Sequence, residues 1–220
     1  MVMTGLARLL DDPGILSAMG RFGLLYNQAS VDAGFRPAPD LLATAFSGRL
    51  TALFGPQHGA TGTEQDNMIE TEHTTHPRLG IPLYSLYSHT RKPTPEMLDG
   101  LDAILVDLQD IGTRVYTYAT TVLYLMEAAA CLGTRVVILD RPNPINGTDV
   151  EGNPLNPHYA SFVGPHPLPM RHGLTIGNCT QYATIEQVFA PAIRVEWPQA
   201  GQQIGIIHEA ALAASVRGRG

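Results

Sequence analysis

The residues of this chain that could do chemistry come in four short groups, each closing an apolar run. They are Asn27 and Gln28 in "YNQ", Gln57 and His58 in "GPQHG", Asp107, Gln109 and Asp110 in "DLQD", and Asp140, Arg141 and Asn143 in "DRPNP". One polar run-end would be ordinary loop composition, but four in series point to a shared site for a polar ligand. The carboxylates suggest a reaction. Glu70, Asp107, Asp110, Asp140 and Glu151 are the candidates. A pair of carboxyl groups flanking a glycosidic bond can hydrolyse it, provided burial keeps one of them protonated near neutral pH. "DLQDIGTRVYTY" concentrates these properties. Asp107 and Asp110 close a buried run and Gly112 permits a tight turn. Arg114 can pair with an acid or a ligand carboxylate, and Tyr116 and Tyr118 offer flat apolar faces with hydroxyl tips. The plainer expectation is that Asp110 and Arg114 pair to fasten the loop and that Tyr118 packs in the core.

Other chemistries find less support. Glycines 55, 59 and 62 only superficially resemble a phosphate cradle, because the Walker pattern needs a lysine and Lys92 is the only one in the chain. The G-x-G-x-x-G fingerprint is absent, so no nucleotide cofactor is expected. His58, Glu70, Glu72, His73 and His76 fall in one stretch, with His73 and His76 spaced for one helix face, but no H-E-x-x-H or cysteine pair supports a metal. No metal is expected; a metal-dependent hydrolase using the His58/His73 loop stays open as a rival. Ser161 in "YASFVG" lacks the G-x-S-x-G elbow and reads as a turn serine. A net charge of −6 argues against nucleic acid, whose binders need a basic footprint.

The elements that must position these groups follow from hydropathy. "RFGLLYNQ" (21–28), "RLTALFG" (49–55), "DAILVDLQD" (102–110) and "TRVVILDRP" (134–142) read as strands, the last two buried on both faces. "PDLLATAFSG" (39–48) reads as a helix capped at Gly48. "TPEMLDGL" (94–101) reads as a helix begun by Thr94 and Pro95, and residues 116–133 as one stopping at Gly133. This alternation predicts an α/β fold: a Rossmann-like, doubly wound, mostly parallel sheet with helices on both faces. Ligands of such sheets bind at the carboxyl ends of the strands, where the four polar groups fall.

No apolar run approaches the about 18 residues of a membrane helix. The N-terminus carries acids directly after a short apolar patch and reads as no export signal. The expectation is a cytoplasmic protein as written, or a periplasmic or secreted one if a signal is missing. Cys131 and Cys179, far apart, read as two reduced, buried thiols. After about residue 178 the patterning weakens. Residues 1–177 are therefore expected to form the catalytic domain and 178–220 a divergent tail.

"GLLYNQASVD", "LFGPQHG", "SLYSHTRKPTPEMLDGLDAILVDLQDIGTRVYTY", "VVILDRPNPINGTDVEGNPL", "SFVG" and "PMRHGLTIG" occur in that order. Together they resemble the exo-β-N-acetylmuramidases of the NamZ type, over residues 22–177. The resemblance implies a Rossmann-like N-terminal domain and hydrolysis that releases N-acetylmuramic acid from non-reducing ends of peptidoglycan fragments. It implies Arg114, Arg141 or Arg171 as a clamp for the lactyl carboxylate, and Asn27 or Asn143 as donors to the acetamido group. His58, Tyr116, Tyr118 and His172 complete the implied substrate-binding set. The family commonly reads Gly-Pro-Glu-His-Gly, with that glutamate as its favoured acid, whereas this chain has Gln57, and an amide cannot protonate a leaving group. Glu70 in "QDNMIE" is then the nearest replacement acid, with Asp110 a second carboxyl candidate. The family also carries a C-terminal domain that closes the cleft, so 178–220 reads as the start of a missing domain in a truncated or frame-shifted chain. A non-catalytic muropeptide- or sugar-binding fragment is the alternative function.

Overall fold

The runs "FGLLY" and "AILVD" become the central strands, because a strand apolar at successive positions is stable only when both faces are covered. In the computed structural model, which describes residues 3–62, 70–185, 193–194 and 209–210, β1 (Phe22–Tyr26) and β5 (Ala103–Asp107) are buried throughout. They pair in parallel, Phe22 opposite Ala103 and Tyr26 opposite Asp107. On the other side of β1 lie β2 (Leu50–Gly55) and then β4 (Pro82–Ser85), and beyond β5 lies β6 (Arg135–Ile138), all parallel. Two-residue strands add antiparallel edges: β3 (Thr74–Thr75) on β4, and β8 (Glu209–Ala210) on β6 with β7 (Ile193–Arg194) beside it. The sheet order is β3-β4-β2-β1-β5-β6-β8-β7.

The two-residue period of each strand divides the core into two layers. Leu24, Leu53, Leu105 and Val137 face α1 (Gly5–Asp11) and α2 (Ala38–Ala45). Leu25, Phe54, Val106 and Ile138 face α3 (Pro95–Leu98), α4 (Tyr118–Leu132) and the start of α5 (Ile176–Ile185). This is the doubly wound α/β arrangement that the alternation of runs implies.

Several boundaries differ from expectation. Helix α4 stops at Gly133 as read, with a left-handed φ of 73° and the cap N–H donating back to Ala129 and Ala130. Helix α2 ends earlier, at Ala45, and Gly48 makes the following turn rather than the cap. Helix α3 begins at Pro95 after Thr94 but lasts only four residues. Helix α1 and strands β3 and β4 had no counterpart in the sequence reading. Helix α5 runs across positions 177 and 178, where the domain boundary was expected. Helix α1 docks end-on: Gly5 donates its N–H to Asp140 O at 2.8 Å, and a Cβ on Gly5 would stand 2.4 Å from the Leu139 carbonyl carbon.

Strand β1 lies between β2 and β5, so the chain winds outward through β2 and β4, then returns to lay β5 and β6 on the other side. The topological switch point is therefore between β1 and β5, with "YNQ" and "DLQD" at its mouth.

Candidate active site

The mouth of the switch point is filled by the protein itself. Asp107, fully buried, takes a two-pronged contact from Arg141, Nε to Oδ1 at 2.6 Å and Nη2 to Oδ2 at 2.9 Å. The same Nη2 donates to Val31 O at 2.9 Å. Ser30 Oγ donates to Asp107 O and accepts from Asn27 N, while Asn27 Oδ1 accepts from Ala29 N. Asn27 thus shapes a turn that staples β1 to β5. A guanidinium forked onto a buried carboxylate is both neutralised and geometrically spent.

Two residues beyond this pair the chemistry changes. Asp110 Oδ1 accepts from Gly112 N at 2.6 Å, but Oδ2 is buried without a hydrogen-bond partner. Burial, with Asp140 adding repulsion, pushes its carboxyl up to about 7, against the Gly112 and Ile111 N–H groups. Asp140, at the end of the β6 run, accepts from Thr175 Oγ1 at 2.6 Å and from Gly177 N at 3.1 Å, anchoring the first turn of α5. Burial also raises its carboxyl. Tyr116 and Tyr118 form an edge-on pair with centroids 4.6 Å apart. Tyr118 belongs to the core, whereas Tyr116 is half-buried with its hydroxyl pushed up to about 12, chiefly by burial.

Gln57 joins this group. Its Oε1 accepts from Thr117 Oγ1 at 2.7 Å, linking the end of β2 to the residue that begins α4. His58 holds a left-handed φ of 71°, which turns the chain sharply after Gln57. A Cβ on Gly55 would stand 2.9 Å from Ala60 N, so the loop closes back on its own strand.

Glu70 lies on the other flank. It lines an open cleft of about 630 Å³ beside Gly55, Gly59, Thr71 and Ser85, at the carboxyl ends of β2 and β4. Its Oε1 is 3.3 Å from both Nη1 and Nη2 of Arg91, and its Oε2 is 3.6 Å from His89 Nδ1. Strands β4 and β5 are three spacings apart, about 14 Å at about 4.8 Å each. Glycosidase carboxyl pairs stand about 5 to 9.5 Å apart, less than the spacing of the two strands beside which Glu70 and Asp110 lie.

The remaining candidates fasten loops. Arg114 Nη1 donates to Leu168 O at 2.7 Å and Asn153 O at 3.1 Å; the expected Asp110–Arg114 pair is replaced by these carbonyls. Arg171 pairs with Glu151 at 2.8 Å and Asp149 at 3.6 Å. Asn143 donates to Leu174 O and accepts from Ile145 N and Asn146 N. His172 Nδ1 accepts from Leu174 N at 3.1 Å, which places the proton of its neutral ring on Nε2, and burial lowers its pKa. His73 and His76 flank β3 rather than share a helix face, and each commits Nδ1 to a backbone N–H, of Ser85 and Leu79 respectively. Among the described residues no group of three or more His, Cys, Asp or Glu side chains is arranged to hold a metal ion, and no helix is long and apolar enough to cross a membrane. Both cysteines are free, but Cys131 is exposed, contrary to expectation, and only Cys179 is buried.

Sequence reasoning missed Thr117 and Arg91. Thr117 fell inside the helix expected over residues 116–133, and nothing local to it pointed to Gln57, 60 residues back. Arg91 carried no local signal, because its carboxylate partner is 21 residues away.

Fold and site together define a doubly wound α/β domain with an open cleft at the carboxyl ends of β2 and β4. The chain belongs to the family described as "Exo-beta-N-acetylmuramidase NamZ, N-terminal", whose model matches residues 22–201. It is 46% identical over 177 residues to a Bacillus subtilis (strain 168) protein described as peptidoglycan beta-N-acetylmuramidase NamZ, a match covering 80% of this chain and 42% of that protein. Two solved structures of DUF1343 family proteins from Bacteroides fragilis NCTC 9343 are similar. One has a TM-score of 0.77 at 39% identity and the other 0.72 at 31%, each over 86% of this chain. The chain spans less than half the length of these relatives, 47% and 48% of the two solved chains.

Proposed function

We propose that this domain is the Rossmann-like half of a glycoside hydrolase that releases N-acetylmuramic acid from the non-reducing ends of peptidoglycan fragments. The observation that carries the reading is the 46% identity to the Bacillus subtilis protein described as a peptidoglycan β-N-acetylmuramidase. In this reading Glu70 supplies the reacting carboxyl, since it lines the cleft beside the Gly55–Gly59 loop and is oriented by Arg91 and His89. Gln57 orients the start of α4 through Thr117 and transfers no proton. Asp110, buried and protonated up to about neutral pH, acts on the hydroxyl of Tyr116 electrostatically and is given no proton transfer in this reading.

Release of 4-nitrophenol from 4-nitrophenyl β-N-acetylmuramide tests the reading. Wild type should turn over, and Glu70→Gln should lose about 10²- to 10⁴-fold, the usual worth of a positioned general acid or base. Turnover that survives Glu70→Gln removes Glu70 from the reaction. A second reading, binding of muramyl sugars without hydrolysis, is favoured by the amide at position 57. Sugar binding with no nitrophenol release decides for it.

A further inference from the structure

A sugar acid of this kind carries an ether-linked lactyl carboxylate, and a site that selects it needs a cation with donors to spare. Arg114, Arg141 and Arg171 are committed to carbonyls or carboxylates of the protein. Arg91 is held differently. One face of its guanidinium lies over the Tyr87 ring, 3.8 Å from the centroid, with Phe162 at 5.9 Å. Nη1 also donates to Ser88 O. Stacking and this anchor fix the plane of the fork. Its contact with Glu70 is poor by comparison: Nη1 and Nη2 converge on the single oxygen Oε1, both at 3.3 Å. The strong arrangement is two parallel bonds to two oxygens. The guanidinium is therefore pre-oriented but under-used, beside a carboxyl that lines the cleft.

We infer that Arg91 is the specificity-determining residue of the cleft, stacked on Tyr87 so that its fork takes the lactyl carboxylate of a muramyl sugar next to Glu70. This rests on the reading of the cleft as a muramyl-sugar site. The substrate carboxylate offers Arg91 the second oxygen that Glu70 does not. A sugar with a free hydroxyl at that position offers none, which makes the site selective for the acid. Lysine is no equivalent, because an ammonium neither stacks as a plane nor forks.

The test is calorimetric titration of the 220-residue chain with N-acetylmuramic acid and with N-acetylglucosamine. Wild type should prefer the acid, and Arg91→Gln should weaken acid binding about 10- to 100-fold, as expected for a lost charged hydrogen-bond pair, while leaving N-acetylglucosamine unchanged. Arg91→Lys, which keeps the charge, should restore only part of the preference and guards against a folding defect in the glutamine variant. No preference in wild type, no measurable binding of either sugar, or an unchanged preference in Arg91→Gln overturns the assignment. Nitrophenol release is read separately. Its absence with the preference intact removes the hydrolase reading alone, and its presence with the preference unmoved by Arg91→Gln removes Arg91 alone.

Discussion

Gln57 and Thr117, 60 residues apart, meet through a 2.7 Å hydrogen bond that joins the end of β2 to the start of α4. The bond asks only for an acceptor at position 57, and a carboxylate would serve as well as the amide oxygen. Gln57→Glu should therefore keep its stability, whereas Gln57→Leu should lose about 1 kcal/mol, a fall of about 2–4 °C in Tm. Calorimetric melting of the two variants checks this, and equal melting of both would remove the structural role of the bond.

Asp110 should make the fold less stable as pH rises. Its carboxyl titrates at about 7 in the folded chain against 3.8 for the ordinary group. Below the lower value it is protonated in both states and costs nothing. Between the two, the unfolded chain gives up the proton first, so the stability due to this group is lost progressively as pH rises towards 7. Asp110→Asn does not titrate. Its stability relative to wild type should grow over that window by an amount on the order of 4 kcal/mol. Urea unfolding at pH 4 and pH 7.5 reads the difference, and a pH-independent difference refutes it.

Arg141 neutralises a fully buried carboxylate. Removing it alone, as Arg141→Met, strands Asp107 and should cost about 3–5 kcal/mol. The double variant Asp107→Leu/Arg141→Met buries no uncompensated charge and should recover much of that. If the double variant is no more stable than Arg141→Met, the cost lies in packing and not in the stranded charge.

Gly5 separates two opposing effects. Helix propensity alone favours alanine there by about 1 kcal/mol. The added Cβ would meet the Leu139 carbonyl carbon at 2.4 Å, and that atom is backbone, which cannot rotate away. Overpacking of this kind costs about 1–3 kcal/mol. Gly5→Ala should therefore unfold at lower urea than wild type, and a higher midpoint would show that α1 can slide off the β6 end.

Much of the fold was legible because its signals are local. Continuous apolar runs gave β1, β2, β5 and β6, and Gly133 marked the end of α4. Strand β4 was not legible, since "PLYS" begins with proline, sits towards the sheet edge and is only partly buried. Helix α1 is two turns long and is held by an end-on contact with a strand more than a hundred residues away. The candidate residues divide in the same way. Asn27, Gln57, Asp110 and Arg141 follow strand ends, which apolar runs mark, but their pairings are non-local. Arg141 finds its acid 34 residues back, and Arg114 finds its carbonyls 39 and 54 residues on. No spacing rule could separate the arginines that fasten loops from Arg91.

The long passage from β6 to α5, whose only helical turn is the 3-10 segment Pro157–Tyr159, is tied to the β5–α4 turn by the Arg114 bonds to Asn153 O and Leu168 O and by Gln109 Nε2 donating to Pro142 O. Its backbone also meets that turn directly, Arg114 N to Met170 O at 2.9 Å and His172 N to Gly112 O at 2.8 Å. Amide exchange in the two segments should consequently be governed by one shared opening event. The passage then behaves as a cooperative unit with the β5–α4 turn, so that loosening either one exposes both to protease.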